Sequence, residues 1–404
     1  MTTPDSSPIG FRSRWAFLPG GELGENVAVE IVGGRVARVG RPRGGETDLG
    51  DRLMLPGLVN AHVHLELSGF PALPTDRGFL GWALRLGMRR ARTPRAALAD
   101  AAARALDTML AEGVSCVGEV ATTGAAAGAL AARGLAGVWY QEMIDPAWLT
   151  ARSTLRRGAN RAVRGGRSSG LAPGLIPHAP YSVSAALYAA SARHARPVPL
   201  ATHASETAWE TGLFRRSGGT SSFLVRMLLG RRLARSGARS PVAWLARTGF
   251  LATRPALIHA THLDGADVDL IRACGARVVV CPRSSSYFGE GPVDVGRLIR
   301  ARIPVGIGTD SPASAGTHSV REELRTLARV QPGLSPRELL LSATESGAAA
   351  LGRQGRSGVL ATGARGDVAV VDVEDARAPL SSVLTDARSR LVALAGVPVV
   401  TTSD

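Results

Sequence analysis

The chain has 404 residues, 45% of them hydrophobic, and a formal charge of +15, which is enough apolar material for one large core plus an accessory domain. No run of about 18 or more apolar residues suggests a membrane span, and three cysteines, Cys116, Cys274 and Cys281, are too few and too scattered for a disulfide framework. All 48 basic residues are arginine, which excludes a Schiff-base lysine, a P-loop lysine and any lysine-derived metal bridge.

Residues 1–20 lack a basic region followed by an apolar stretch, so the expectation is a cytoplasmic protein, with disorder around Ser6 and Ser7 and in the last few residues. From 27 to 39 the alternation of Val, Ile and polar residues predicts two short strands joined at Gly33-Gly34. The stretches 366–372 and 390–400 repeat that texture, and the two ends are expected to pair as one small β domain. Between them apolar strands alternate with Ala-, Leu- and Arg-rich helical stretches, a pattern of βα units. Eight strands are predicted, at 53–63, 114–120, 137–143, 174–178, 198–203, 256–259, 277–282 and 304–310. Eight βα units predict an α/β TIM barrel, whose chemistry sits at the C-terminal ends of the strands. His62, His64, Glu119, His178, His203, His259 and Asp310 all fall at such ends.

The interval 214–250 carries Gly218-Gly219 and a basic amphipathic stretch; it predicts a helical excursion over the barrel mouth with Trp244 and Leu245 packed inward. Its arginines, Arg231, Arg232, Arg235 and Arg239, form the densest basic group, but no aromatic residues interleave with them as base-stacking surfaces require. A solvated basic face is the reading, and neither nucleic acid nor membrane is an expected partner.

His62 and His64 are two residues apart at the end of an apolar strand, so both imidazoles leave the same face and can reach one ion. His203, with Glu206 three residues later, can complete a three-histidine site, and Asp310 in Gly-Thr-Asp-Ser is an anionic fourth ligand. Three imidazoles and a carboxylate leave an open position for water, as catalytic metal sites do. Glu206 would then stand beside the ion as a proton shuttle.

These motifs resemble the amidohydrolase superfamily, in its cytosine/adenosine-deaminase-related and chlorohydrolase-like branch. The matching segments are Pro-Gly-Leu-Val-Asn-Ala-His-Val-His (56–64), His-Ala-Pro-Tyr-Ser (178–182), Thr-His-Ala-Ser-Glu (202–206), His-Ala-Thr-His-Leu (259–263), Cys-Pro-Arg-Ser (281–284), Gly-Thr-Asp-Ser (308–311) and Ala-Thr-Glu-Ser-Gly-Ala (343–348). The resemblance implies a distorted TIM barrel over 54–355 and a β-sandwich formed by 1–53 and 356–404. It implies metal ligands at His62, His64, His203 and Asp310, and proton transfer by Glu206 and His259 with Asp310. With no lysine to bridge two metals, one divalent ion is expected, Zn²⁺ first and Fe²⁺ second.

The implied reaction is hydrolytic deamination of a small 6-aminopurine nucleoside-like molecule by metal-activated water. Within the branch, His-Val-His-Leu-Glu-Leu-Ser together with Cys-Pro-Arg-Ser most resembles deaminases of aminodeoxyfutalosine. Hydrolysis of a ring C–N or C–Cl bond is the alternative, and a catalytically inactive scaffold a more distant one; a homodimer is implied by analogy alone. For substrate contacts, His178 resembles a substrate-contacting histidine and equally suits a strand cap. Glu66 either accepts ribose hydroxyls or pairs with an arginine. Glu119 either lines the pocket or buttresses His62, and Arg283 either meets an anionic substrate group or forms a salt bridge at the mouth. His262 is read as supporting rather than ligating, Cys281 as a non-ligand, and His194 and His318 as surface residues. Ser285 stands where this branch often has Asn.

Overall fold

The computed structural model describes residues 8–145, 150–194, 197–214 and 236–399. The chain opens with β1 (Ile9–Leu18), β2 (Glu22–Val32), β3 (Arg35–Gly40), the short β4 (Thr47–Asp48) and β5 (Arg52–Pro56). β2 turns into β3 through Gly33 and Gly34 at φ of 56° and 78°, left-handed conformations that a two-residue hairpin demands and glycine adopts without steric cost.

Eight parallel strands follow: β6 (Leu58–Val63), β7 (Val114–Ala121), β8 (Ala136–Met143), β9 (Ala172–Pro177), β10 (Ala201–Ala204), β11 (Ala256–His259), β12 (Arg277–Val280) and β13 (Val305–Ile307). Every residue of β6 and β7 is buried, which is why they read as unbroken apolar runs rather than as alternations. β14 (Val368–Asp372), β15 (Ser389–Leu394) and β16 (Val397–Pro398) end the chain.

The predicted strand 53–63 is two strands with different destinations. Pro56 ends β5, which pairs with β1 and β14 in the terminal sheet, and β6 begins at Leu58 in the parallel layer. Gly57 lies between them, where a Cβ would stand 2.1 Å from Ser115 Oγ, so the junction admits no side chain. The terminal strands form one eight-stranded sheet ordered β16-β15-β14-β5-β1-β2-β3, with β4 beside β1. Both ends of the chain thus join in one sheet, to which all the terminal strands named above belong.

The eight central strands form a TIM-barrel-like α/β arrangement of two parallel sheets, β6-β7-β8-β9 and β10-β11-β12-β13. One continuous ladder of eight was the expectation. Instead the sheets meet through single parallel bridges, Leu175 with Leu200 and Val63 with Asp310, because β10 to β13 are only three or four residues long. Helices connect the strands, including Gly78–Arg92, Arg95–Ala111 and Ala151–Ser169. Trp244 and Leu245 are buried in the helix Pro241–Arg247, whose start is capped by Ser240; the rest of the predicted excursion, at 215–235, lies outside the described residues, as do Ser6, Ser7 and 400–404. No described helix is long and apolar enough to cross a membrane.

Candidate active site

Four strands deliver imidazoles or carboxylates to one point. His62 lies in β6 with His64 just beyond it, His203 lies in β10, His259 ends β11, and Asp310 follows β13. One nitrogen from each of His62, His64 and His203 falls within 4.8 Å of the others. Asp310 Oδ1 stands 3.8 Å from His62 Nε2 and 3.6 Å from His64 Nε2. The backbone is turned hard to achieve this: His259 and Asp310 have φ of 69° and 53°, a left-handed conformation that costs non-glycine residues of order 1–3 kcal/mol and collects at functional sites. Close approach also matters, since a Cβ on Gly308 would lie 2.6 Å from His62 Cβ.

The cluster is arranged to ligate. Burial, with the neighbouring histidines adding to it, pushes the pKa of His62 and His203 well below 6.5, and burial takes His259 down to about 4. All three are therefore neutral at pH 7 and keep a free lone pair. His62 Nε2 is buried with no hydrogen-bond partner among the described residues, a costly state for a polar atom unless a ligand satisfies it. Asp310 Oδ2 accepts hydrogen bonds from Ser284 Oγ at 2.8 Å and Ser314 Oγ at 2.7 Å, so Oδ1 is the oxygen left for the histidines. A neutral imidazole set, one carboxylate and an orphaned ring nitrogen fit a divalent metal.

Beside the cluster, Glu206 Oε1 lies 3.5 Å from His259 Nε2. Burial first, then the charges of Asp310, Glu210 and Glu290, raise the Glu206 pKa well above its usual value, which favours the protonated carboxyl. The Glu206 amide donates to Glu210 Oε2 at 2.8 Å, which fixes the turn that presents it.

A cavity of about 300 Å³ opens from these groups. His178 lines it, with Nδ1 held 2.6 Å from Ser182 Oγ so that Nε2 faces outward, 3.9 Å from Glu142 Oε1. Glu142, Arg90, Phe79, Trp82 and Tyr181 also line it, and none was assigned a role from the sequence, although Tyr181 falls in the His-Ala-Pro-Tyr-Ser segment. Glu142 is the next-to-last residue of β8, so the strand-end rule that found the other groups would have found it; Phe79 and Trp82 carry no local signal.

Three predicted substrate contacts lie elsewhere. Glu66 is 2% exposed and, among the described residues, neither lines the cavity nor pairs with an arginine. Its carboxylate accepts the amides of Thr123, Gly124 and Ala125 at 2.5–3.1 Å, because the loop after β7 presents three unsatisfied N–H groups to it. Glu119 is fully buried, and its Oε2 accepts the amide of Leu65, the residue after His64, at 3.0 Å. Burial and the nearby Glu66 raise its pKa well above the ordinary value, so it supports the turn that carries His64 and does not line the cavity. Arg283 sits beside Gly316 with its amide bound to Glu323 Oε2 at 2.9 Å; it makes no ion pair within 4.0 Å among the described residues and does not line the cavity.

His318, read from sequence as a surface residue, is 6% exposed. It lies 2.8 Å from Ser68 Oγ and 3.3 Å from Thr309 Oγ1, because the loop after β13 folds back over the strand ends. His194 is half-buried. His262 Nε2 is 2.6 Å from Glu290 Oε2, so it orients that carboxylate rather than ligating. Cys116 and Cys281 are buried, Cys274 is half-buried, and all three are free thiols.

A model of the amidohydrolase family matches residues 53–399. Among known proteins, the aminodeoxyfutalosine deaminase of Deinococcus radiodurans is 32% identical over 351 residues, covering 80% of this chain and 81% of that one. A 5-methylthioadenosine/S-adenosylhomocysteine deaminase of Syntrophobacter fumaroxidans is 28% identical, covering 88% and 82%. The fold is shared with the crystal structure of an adenosine deaminase from Xanthomonas campestris with bound zinc, at a TM-score of 0.80 and 24% identity, covering 96% and 92%.

Proposed function

The chain belongs to the amidohydrolase family, hydrolases of carbon–nitrogen bonds, and from that premise we propose that it deaminates a 6-aminopurine nucleoside, with aminodeoxyfutalosine the first candidate and zinc the metal. The observation that carries the proposal is the orphaned Nε2 of His62 inside a three-histidine cluster, faced by Asp310 on one side and by the Glu206–His259 pair on the other. The likeness to the aminodeoxyfutalosine deaminase supports the substrate, and the zinc-bound fold relative supports the metal.

His62, His64, His203 and Asp310 would hold the ion. A divalent ion so held supplies Lewis acidity that makes water a proton donor near neutral pH. The remaining work falls to the protein. Asp310 and the neutral His259 accept the proton that water gives up as it adds to the carbon bearing the amine. Glu206, whose raised pKa favours the protonated form, delivers a proton to the adjacent ring nitrogen. As the tetrahedral carbon collapses, the C–N bond breaks, a proton passes through Glu206 to the departing amine, and ammonia leaves. His178 and Tyr181 flank the space the ring would occupy.

The test is ammonia release by zinc-loaded protein from aminodeoxyfutalosine, adenosine, 5-methylthioadenosine, S-adenosylhomocysteine and guanine. Release from a purine nucleoside, fastest with aminodeoxyfutalosine, is the expected result, and silence across the panel would sink the proposal.

A further inference from the structure

At the N-terminal end of the central strands, away from the histidine cluster, four arginines line a basin of about 600 Å³: Arg35, Arg353, Arg356 and Arg365, with Gly33, Gly34 and Ala395 as the remaining wall. They come from separate parts of the chain. Arg35 opens β3 next to the Gly33-Gly34 turn, and the other three lie on the segment between the last barrel helix and β14. Arg35 and Arg365 stand opposite each other in an antiparallel β-bridge, a pairing in which like charges repel.

Three of the guanidinium groups are held in place. Arg35 Nη1 donates to the Gly363 carbonyl at 2.8 Å, and Arg353 Nε to Ser357 Oγ at 3.2 Å. Arg365 donates Nε to Asp367 Oδ1 at 2.8 Å and Nη2 to the Gly134 carbonyl at 2.5 Å. These partners are neutral except Asp367, which is 3% exposed, and no acidic side chain lines the basin. Arg356 makes no side-chain hydrogen bond or ion pair among the described residues. Four guanidinium charges against one carboxylate leave three positive charges converging on one space, with several N–H donors unspent.

We infer that this basin binds an oligophosphate anion, either inorganic or as the phosphate chain of a nucleotide. Guanidinium forks match phosphate oxygens in pairs, the volume exceeds what a single phosphate fills, and a multiply charged anion relieves the repulsion that the Arg35–Arg365 bridge carries. The site is separate from the metal cluster and independent of the deaminase reading.

The test is calorimetric titration of inorganic triphosphate, and in a second arm ATP, into the zinc-loaded full chain. One equivalent should bind, more weakly as salt rises. Arg356→Gln and Arg35→Gln, both exposed side chains, should each weaken binding on the order of tenfold, the effect of one lost charge-assisted contact. Heat from phosphate capturing zinc would persist in these variants, because the histidine cluster is untouched. Arg161→Gln/Arg164→Gln, a pair exposed on the helix Ala151–Ser169, should leave binding unchanged. Tighter binding of ATP than of triphosphate assigns the site to a nucleotide, and equal binding assigns it to the phosphate chain alone. Failure to bind either anion, or equal loss in the Arg161/Arg164 control, overturns the inference.

Discussion

His203 is tied twice to one atom of His178: its Nδ1–H and its main-chain N–H both lie 2.9 Å from the His178 carbonyl oxygen. A carbonyl only accepts, so His203 carries its proton on Nδ1 and has Nε2 alone to offer an ion. His203→Ala should therefore lose bound metal, measured by elemental analysis, while Glu206→Gln keeps it. The Glu206 variant should lose turnover by on the order of a hundredfold to ten-thousandfold, the usual weight of a proton-transfer group. Equal turnover in Glu206→Gln and wild type would contradict the mechanism.

Asp310 is oriented by the hydroxyls of Ser284 and Ser314 on a single oxygen. Partners of this kind are typically worth ten- to a hundredfold in metal affinity. Ser284→Ala/Ser314→Ala should weaken zinc binding by about that factor in a competition assay with a chromogenic chelator, with little change in denaturation midpoint when zinc is saturating. Unaltered affinity would mean that Asp310 is positioned by its backbone alone.

Glu66 holds the loop after β7 through three amides. In Glu66→Leu the buried Ala125 N–H keeps only Thr123 Oγ1, at 3.3 Å, as acceptor, a loss of roughly 1–3 kcal/mol, while the Thr123 and Gly124 amides can turn to water. The expected loss is about 1–3 kcal/mol of unfolding free energy by urea denaturation. A stable Glu66→Leu variant with a raised KM for nucleoside would restore the ribose-contact role read from the sequence.

Burial raises the pKa of Glu210 from 4.5 to about 8. Below pH 4.5 the group is protonated in both folded and unfolded chains and adds no pH dependence. Between pH 4.5 and about 8 the unfolded chain ionises while the folded one does not, so this group erodes stability by about 1.4 kcal/mol per pH unit. Glu210→Gln, which can still accept the Glu206 amide, should gain stability over wild type progressively from pH 5 to 8 and then level off. A difference that is constant across that range would refute the assignment.

The convergence of His62, His64, His203 and Asp310 was legible in the sequence because each sits at or just past the end of an apolar strand, and strand ends in βα units converge whatever the loops do. Substrate-side residues were less legible because their partners are distant. Glu66 meets amides 57 to 59 residues downstream, and nothing near position 66 announces them. His318 lies in a polar Gly-Thr-His-Ser stretch that reads as surface, yet the fold closes over it. Glu142 obeyed the strand-end rule and was overlooked beside stronger motifs. The break at Gly57 was hidden because β5 and β6 are both apolar, and only the crowding against Ser115 shows where one sheet hands over to the other.

His62 lies in the first strand of one parallel sheet and His64 just beyond it, while His203 lies in the other sheet and Asp310 follows that sheet's last strand, and the two sheets meet through single bridges at their seams. An ion gripped by all four side chains would therefore be a clasp between two half-molecules as well as a reagent. Two fragments, 1–194 and 197–404, which also meet where β14 pairs with β5 in the terminal sheet, should then reassemble more tightly with the metal than without it, and equal association with and without the ion would show that the ladder and core hold the halves unaided.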